Sequence, residues 1–201
     1  MVLLRNLTLV LAALVALVWA MPHGQPAVEP AGPRSEIAGL HETIAHQRWI
    51  IALSNRFGFT PDIVILVDRK ARTLFDGPTE TGRWSYIRSA EALTRRMLSI
   101  MWVESRGDPR AVGAAGEIGL AQIKLSTAQM YDPAVTATEL TDVNVHINLA
   151  FAHFLELLDR NDGDDVFAYL AWNYGERGAL NLIESRRETN GYAMRVLAAA
   201  R

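Results

Sequence analysis

The chain has 201 residues, half of them apolar, and a formal net charge of −2. That balance gives no electrostatic case for a nucleic-acid partner. With no cysteine, disulfides, thiolate zinc sites and a lipid-modified cysteine are excluded.

The first element is a leader. Met1 to Asn6 is short and carries Arg5, and residues 7–21 hold no charge. An apolar run of about 15 residues is short for a membrane span and suits a signal-peptide core. Val18 and Ala20 put small residues near −3 and −1 of a cleavage site after Ala20. Residues 1–20 therefore read as a signal peptide or an uncleaved signal anchor, and either exports the rest of the chain. About 175–180 residues then remain, enough for one domain with a real core. Residues 21–35, rich in Pro, Gly and Ala, read as a flexible linker.

Residues 36–85 read as an N-terminal helical extension. A helix is expected from Glu36 to Phe57, with Ser35 as N-cap and Gly58 as stop. The next run, Ile63 to Val67, has strand composition. Thr60-Pro61-Asp62 nevertheless supplies a cap, a first-turn proline and a first-turn acid, which favours a helix. Residues 76–82 read as a loop. From 86 to 105 a long helix is expected, because Ile87, Leu93, Met97, Ile100 and Met101 fall near one stripe. Ile147, Phe151, Phe154 and Leu158 mark the face of another. Two short helices follow over 165–175 and 178–188, then a last one from Tyr192. The fold class is mainly α, and the domain proper is placed at 86–201.

Several apparent motifs do not stand up to geometry. His41 and His46 are five residues apart, so on a helix they diverge by about 140° and cannot grip one metal from one face. Asp159 to Asp165 resembles a calcium loop, but with Gly163 at the sixth position Leu158 and Tyr169 occupy the first and twelfth, where carboxylates are needed. Gly113 to Gly119 lacks the lysine of a phosphate cradle.

Glu104 remains. It sits in the last turn of an apolar helix, with Gly107 and Pro109 just beyond as stop signals. Free carbonyls of that turn and desolvation by Ile100, Met101 and Trp102 both favour a protonated carboxyl. Such an acid is what cleavage of a glycosidic bond requires.

The surrounding stretch, Glu104 to Ala128, resembles the signature of lytic transglycosylases with a lysozyme-like fold, relatives of goose-type lysozymes. The matching positions are Glu104-Ser105, Asp108-Pro109, Ala111, Gly116, Gly119-Leu120, Gln122-Ile123 and Thr127-Ala128. Leu170 to Gly175 resembles the family's Ala-Tyr-Asn-x-Gly block, and Glu188 to Val196 its Glu-Thr-x-x-Tyr block, with the tyrosine at 192. Ala121 stands for the usual Met, Leu125 for Pro and Trp172 for Tyr, while Val143, His146 and Ala150 stand for Pro, Asn and Gly. The likeness spans roughly residues 86–198.

The resemblance implies a lysozyme-like helical domain with a groove for peptidoglycan glycan strands, cleaved at the bond between N-acetylmuramic acid and N-acetylglucosamine. Glu104 would be the single acid/base, giving 1,6-anhydromuramic ends. Ser105, Gln122 and Asn173 would contact the sugar, and Tyr192 would orient Glu104. Asp108 reads as a turn-former, and Gly116 and Gly119 as backbone devices. No cofactor or metal is implied. An exported location follows, in the periplasm or cell envelope, with membrane anchoring through the leader or docking to an envelope complex as partner readings. A hydrolase of the same bond and a non-catalytic wall-binding protein are the rival functions.

Overall fold

The computed structural model describes residues 33–76, 86–185 and 191–201, with side chains from Ile37 onward. The leader, most of the linker, most of the 76–82 loop and the Glu-Thr pair of the last motif lie outside the described residues. The chain divides into two units, Met1–Thr43 and Ile44–Arg201. The first contributes the start of a helix, α1 (Pro33–Phe57). Pro33 opens it, where a missing N–H costs nothing, so Ser35 falls inside the first turn rather than at the cap. Gly58 ends it with φ +71.

The second unit holds the other helices. The Ile-Val-Ile-Leu-Val run is helical, within α2 (Pro61–Asp76), and Val64 and Val67 are wholly buried. α3 (Ala90–Ser105) starts four residues later than the apolar stripe suggests. Ser89 is its N-cap and accepts a hydrogen bond from the Ala92 N–H at 3.1 Å. Ile87 is buried without being helical, which explains why periodicity overran the start.

Leu93, Met97, Leu98, Ile100 and Met101 of α3 are all fully buried, and α2 and α7 (Tyr192–Ala200) pack along it. α5 (Val143–Asp159) is capped by Asp142, whose Oδ1 accepts from the Asn144 and Val145 N–H groups. α6 (Asp165–Glu184) is broken at Gly175, φ 71 and ψ 161, so two helical pieces meet there as expected.

Among the described residues, strand is confined to β1 (Glu117–Ile118) and β2 (Ile123–Lys124), an antiparallel pair, and one bridge from Val112 to Ile118. A short helix, α4 (Leu125–Ala128), follows directly. Also among them, no single helix is long and apolar enough to cross a membrane. Of the histidine pair set aside above, His46 sits with Nε2 3.1 Å from Asp68 Oδ2, and Arg72 donates to its Nδ1 at 3.2 Å.

The β1–β2 turn is tightly packed. Gly119 has φ +77, and a Cβ there would lie 2.6 Å from His146 Nδ1 and 3.0 Å from the Leu140 carbonyl oxygen. Gly119→Ala combines left-handed strain with a clash against buried atoms. It should lower unfolding stability by about 2–4 kcal/mol. Urea midpoints measure this, and a change under about 0.5 kcal/mol, the size of an ordinary surface substitution, would contradict the packing described.

Candidate active site

Glu104 is placed by how α3 stops. Arg106 adopts φ 59 and Gly107 φ +85, which turns the chain sharply after Ser105. A Cβ on Gly107 would lie 2.5 Å from the Phe59 ring, so the turn passes that ring with no room for a side chain. The Arg106 guanidinium lies 3.7 Å from the Trp102 ring centroid, a cation–π contact that pins the cap residue outward. Glu104 then stays in the last turn, at one wall of a cleft of about 500 Å³.

α7 brings the partner. Tyr192, 2% exposed, donates its phenol hydrogen to Glu104 Oε1 at 2.5 Å. Burial pushes the Glu104 carboxyl up to about 7. The negative charge of Glu117 pushes the same way. The Tyr192 hydroxyl, the Arg195 guanidinium and the Trp172 indole oppose it, but desolvation is the largest effect. Burial in turn holds the Tyr192 phenol protonated, well above its ordinary range.

Glu117 lines the same cleft in the opposite state. Its own N–H, the Ala115 N–H at 3.0 Å and Lys124 at 3.5 Å hold its carboxyl below the usual value. One cleft thus carries one carboxyl kept neutral and one kept ionised, the division that separates acid from anion roles.

Gln122 also lines the cleft, at φ 50 in the β1–β2 turn. Its amide nitrogen donates to the Ala111 and Gly119 carbonyls at 3.1 and 2.9 Å. That fixes the amide plane and leaves its oxygen as an acceptor. Asn173 is exposed on the cleft wall, beside the Gly175 break in α6. Ser105 stands apart. Its hydroxyl donates to the Leu120 carbonyl at 2.7 Å and accepts from the Gly107 N–H at 3.1 Å. It is not part of the cleft lining and serves as a clip between the end of α3 and the β1–β2 turn. Gln122, Asn173 and Glu104 are brought together; Ser105 supports them from behind. Asp108 forms its turn, accepting from the Arg110 N–H at 2.8 Å.

Three of the departures from the family pattern meet in space. The Ala121 N–H donates to His146 Nε2 at 2.9 Å, and the Ala121 carbonyl accepts from the Trp172 indole at 3.3 Å. His146 is 1% exposed, and its Nδ1 lies 3.0 Å from the Leu140 carbonyl. The proton must therefore sit on Nδ1. Burial lowers this imidazole to about 4, so it stays neutral at ordinary pH. Together the imidazole and the indole grip the peptide of residue 121, next to Gln122.

The far wall was not legible in the sequence. Tyr131 donates to Glu156 Oε2, and its oxygen lies 3.0 Å from His153 Nδ1. Since the phenol hydrogen goes to the carboxylate, His153 Nδ1 is the donor in the second contact. His153 stacks obliquely on Trp172 at 5.0 Å, and burial lowers it to about 4. Arg160 bridges Glu156 and Glu176. Exposed Tyr174 and Met130 stand at the lip, giving apolar faces on which a sugar ring can lie.

The family model described as the transglycosylase SLT domain matches residues 87–194, more than half the chain. Among solved structures the chain is similar to the 70 kDa soluble lytic transglycosylase SLT70 from Escherichia coli, at 20% identity with a TM-score of 0.51. That match covers 66% of this chain and 23% of the larger protein, so the chain corresponds to under a quarter of that enzyme's length. No curated protein matches. The structural likeness bears out the mainly helical, lysozyme-like fold expected from the sequence, and the match over residues 87–194 shows that the chain belongs to the transglycosylase SLT domain family.

Proposed function

We propose that this protein is a peptidoglycan lytic transglycosylase whose single acid/base is Glu104. The observation that carries the proposal is the half-buried Glu104 carboxyl, held by Tyr192 at the wall of a sugar-sized cleft, where desolvation pushes its pKa up to about 7. Glu104 gives its proton to the glycosidic oxygen as that bond to C1 of the muramic acid breaks. The N-acetyl oxygen of the same sugar stabilises the cationic carbon. Glu104, now a carboxylate, takes the proton of the sugar's 6-hydroxyl, whose oxygen closes onto C1. Acid and base are one residue, and no water enters. Gln122, through its free amide oxygen, and Asn173 would contact the sugar; Ser105 would act indirectly, by fixing the backbone between Glu104 and Gln122.

Such a substrate lies outside the cytoplasm. That agrees with the leader read from residues 1–20, so the protein would act in the periplasm or envelope, free or anchored. Mass analysis of muropeptides released from purified sacculi tests the chemistry. The expected products are one water lighter than hydrolysis products; hydrated ends alone would refute a transglycosylase.

One observation favours a hydrolase as second reading: Glu117 is an ionised carboxylate in the same cleft, and ordinary glycosidases use two carboxyls. Glu117→Gln separates the two. If Glu117 acts only through its charge, the variant retains cleavage, and the alkaline limb of its kcat/KM profile moves to lower pH, because a group that raised the Glu104 pKa is gone. If Glu117 is a reacting group, activity falls at every pH.

A further inference from the structure

Gln122 stands at the cleft wall with φ 50, a left-handed backbone that a residue with a long side chain holds only when its surroundings impose it. The two peptide groups before it show what imposes it. The Leu120 carbonyl accepts from the Ser105 hydroxyl at 2.7 Å, and the Ala121 N–H donates to His146 Nε2 at 2.9 Å. The Ala121 carbonyl accepts from the Trp172 indole at 3.3 Å, and the Gln122 N–H donates to the Gly119 carbonyl at 3.1 Å. Every polar group of both peptides is engaged, three of them by side chains from α3, α5 and α6.

His146 is the fully buried member of this set. It is 1% exposed and does not line the cleft, so any effect on a sugar passes through the backbone. Its Nδ1–H goes to the Leu140 carbonyl at 3.0 Å, which leaves the lone pair of Nε2 for Ala121. The ring also lies against Gly119, where a Cβ would come within 2.6 Å of Nδ1. The Gly119 carbonyl in turn accepts from the Gln122 side-chain amide at 2.9 Å. One imidazole thus braces both Gly119 and Ala121, the two residues that hold Gln122. We propose that His146 is a positioning residue for glycan cleavage: it fixes the peptide before Gln122, and with it the Gln122 amide, at the cleft wall. The catalytic part of this inference rests on the glycan reading of the cleft; the brace itself exists without substrate.

A double-mutant cycle between His146→Phe and Gln122→Ala tests this, with thermal melts to establish which variants fold. Phenylalanine keeps a ring and loses the acceptor. His146→Phe should lower kcat/KM for glycan cleavage by about tenfold or more in the parent, and by less than about twofold once Gln122 is alanine. His146→Gln, whose amide oxygen can accept from the Ala121 N–H, should stay within about threefold of the parent. Hydrogen exchange of the Gln122 side-chain amide, followed by nitrogen-15 NMR, reads the brace without substrate. It should be slow in the parent and in His146→Gln, and at least about tenfold faster in His146→Phe. A parent that cleaves no glycan refutes the activity, and the exchange rates then decide the brace alone. Equal losses of kcat/KM in both backgrounds, or Gln122 exchange that His146→Phe leaves unchanged, overturn the proposal, because His146 then serves general packing only. If the phenylalanine variant does not fold, His146→Gln decides: a retained rate with slow exchange upholds the role of the acceptor, and loss of either overturns it.

Discussion

Glu104→Gln should lower glycan cleavage by about 10³-fold or more while leaving the fold intact, given that general acid–base catalysis alone is worth 10²–10⁴ and one group here does both steps. The amide oxygen can still accept from Tyr192, so packing is kept. The variant should also be the more stable protein at alkaline pH. A carboxyl whose folded pKa is raised from 4.5 to about 7 binds more protons folded than unfolded between those values. Stability from it is therefore whole below about pH 4.5 and is lost as pH rises through 7. The loss is on the order of 3 kcal/mol, and the glutamine does not suffer it. Thermal melts of both proteins at pH 5 and pH 8 should show the variant's advantage growing with pH. A variant that clears sacculi as fast as the parent would return the protein to the wall-binding class.

Tyr192→Phe should lower kcat/KM by about 10–100-fold, the scale on which losing the aim of one catalytic group is felt. The direction of its pH effect is more telling than the loss. The phenol donates to Glu104 and so favours the carboxylate. Without it the carboxyl becomes a weaker acid, and the alkaline limb of the profile moves to higher pH. That is opposite to Glu117→Gln. A purely structural tyrosine would lower the rate and leave the limb in place.

Loss of stability at acid pH has its own origin in two imidazoles. His146 and His153 are held neutral by burial, both near 4, below the ordinary histidine value of about 6.5. Their contribution is whole above that value and is lost as pH falls toward 4. Over the same span Glu104 becomes easier to bury, so the two effects oppose each other and flatten the acid side of the stability curve.

Local signals carried the helices well. Pro61 and Asp62 outweighed a β-branched run because a cap and a fixed φ act on the backbone directly, whereas strand composition needs a neighbouring strand to matter. The end of α3 was legible from Gly107 and Pro109. Its start was not, because Ile87 is buried by tertiary packing outside the helix. Glu104, Gln122 and Tyr192 could be picked out because a motif spaces them; nothing local marks the far wall. Tyr131, His153 and Glu156 come from two elements and are joined only by packing. Ser105 sits next to the acid in the motif, yet its hydroxyl faces Leu120 rather than the cleft, a matter of rotamer that sequence does not encode. Trp172 stands where the family has Tyr, and its indole N–H supplies a donor there, to Ala121. Nothing local marks Glu117, because it lies between two glycines and β1 is too short to show alternation.

The central claim is that burial keeps the Glu104 carboxyl protonated near neutrality. Carbon-13 NMR titration of the glutamate side-chain carboxyls, with Glu104→Gln to assign the signal, reads that property without substrate. The account predicts a midpoint of about 7 for the signal that vanishes in the variant. A midpoint near the ordinary 4.5 would mean that water reaches the group, and that it is no proton donor at the pH where the chemistry must run.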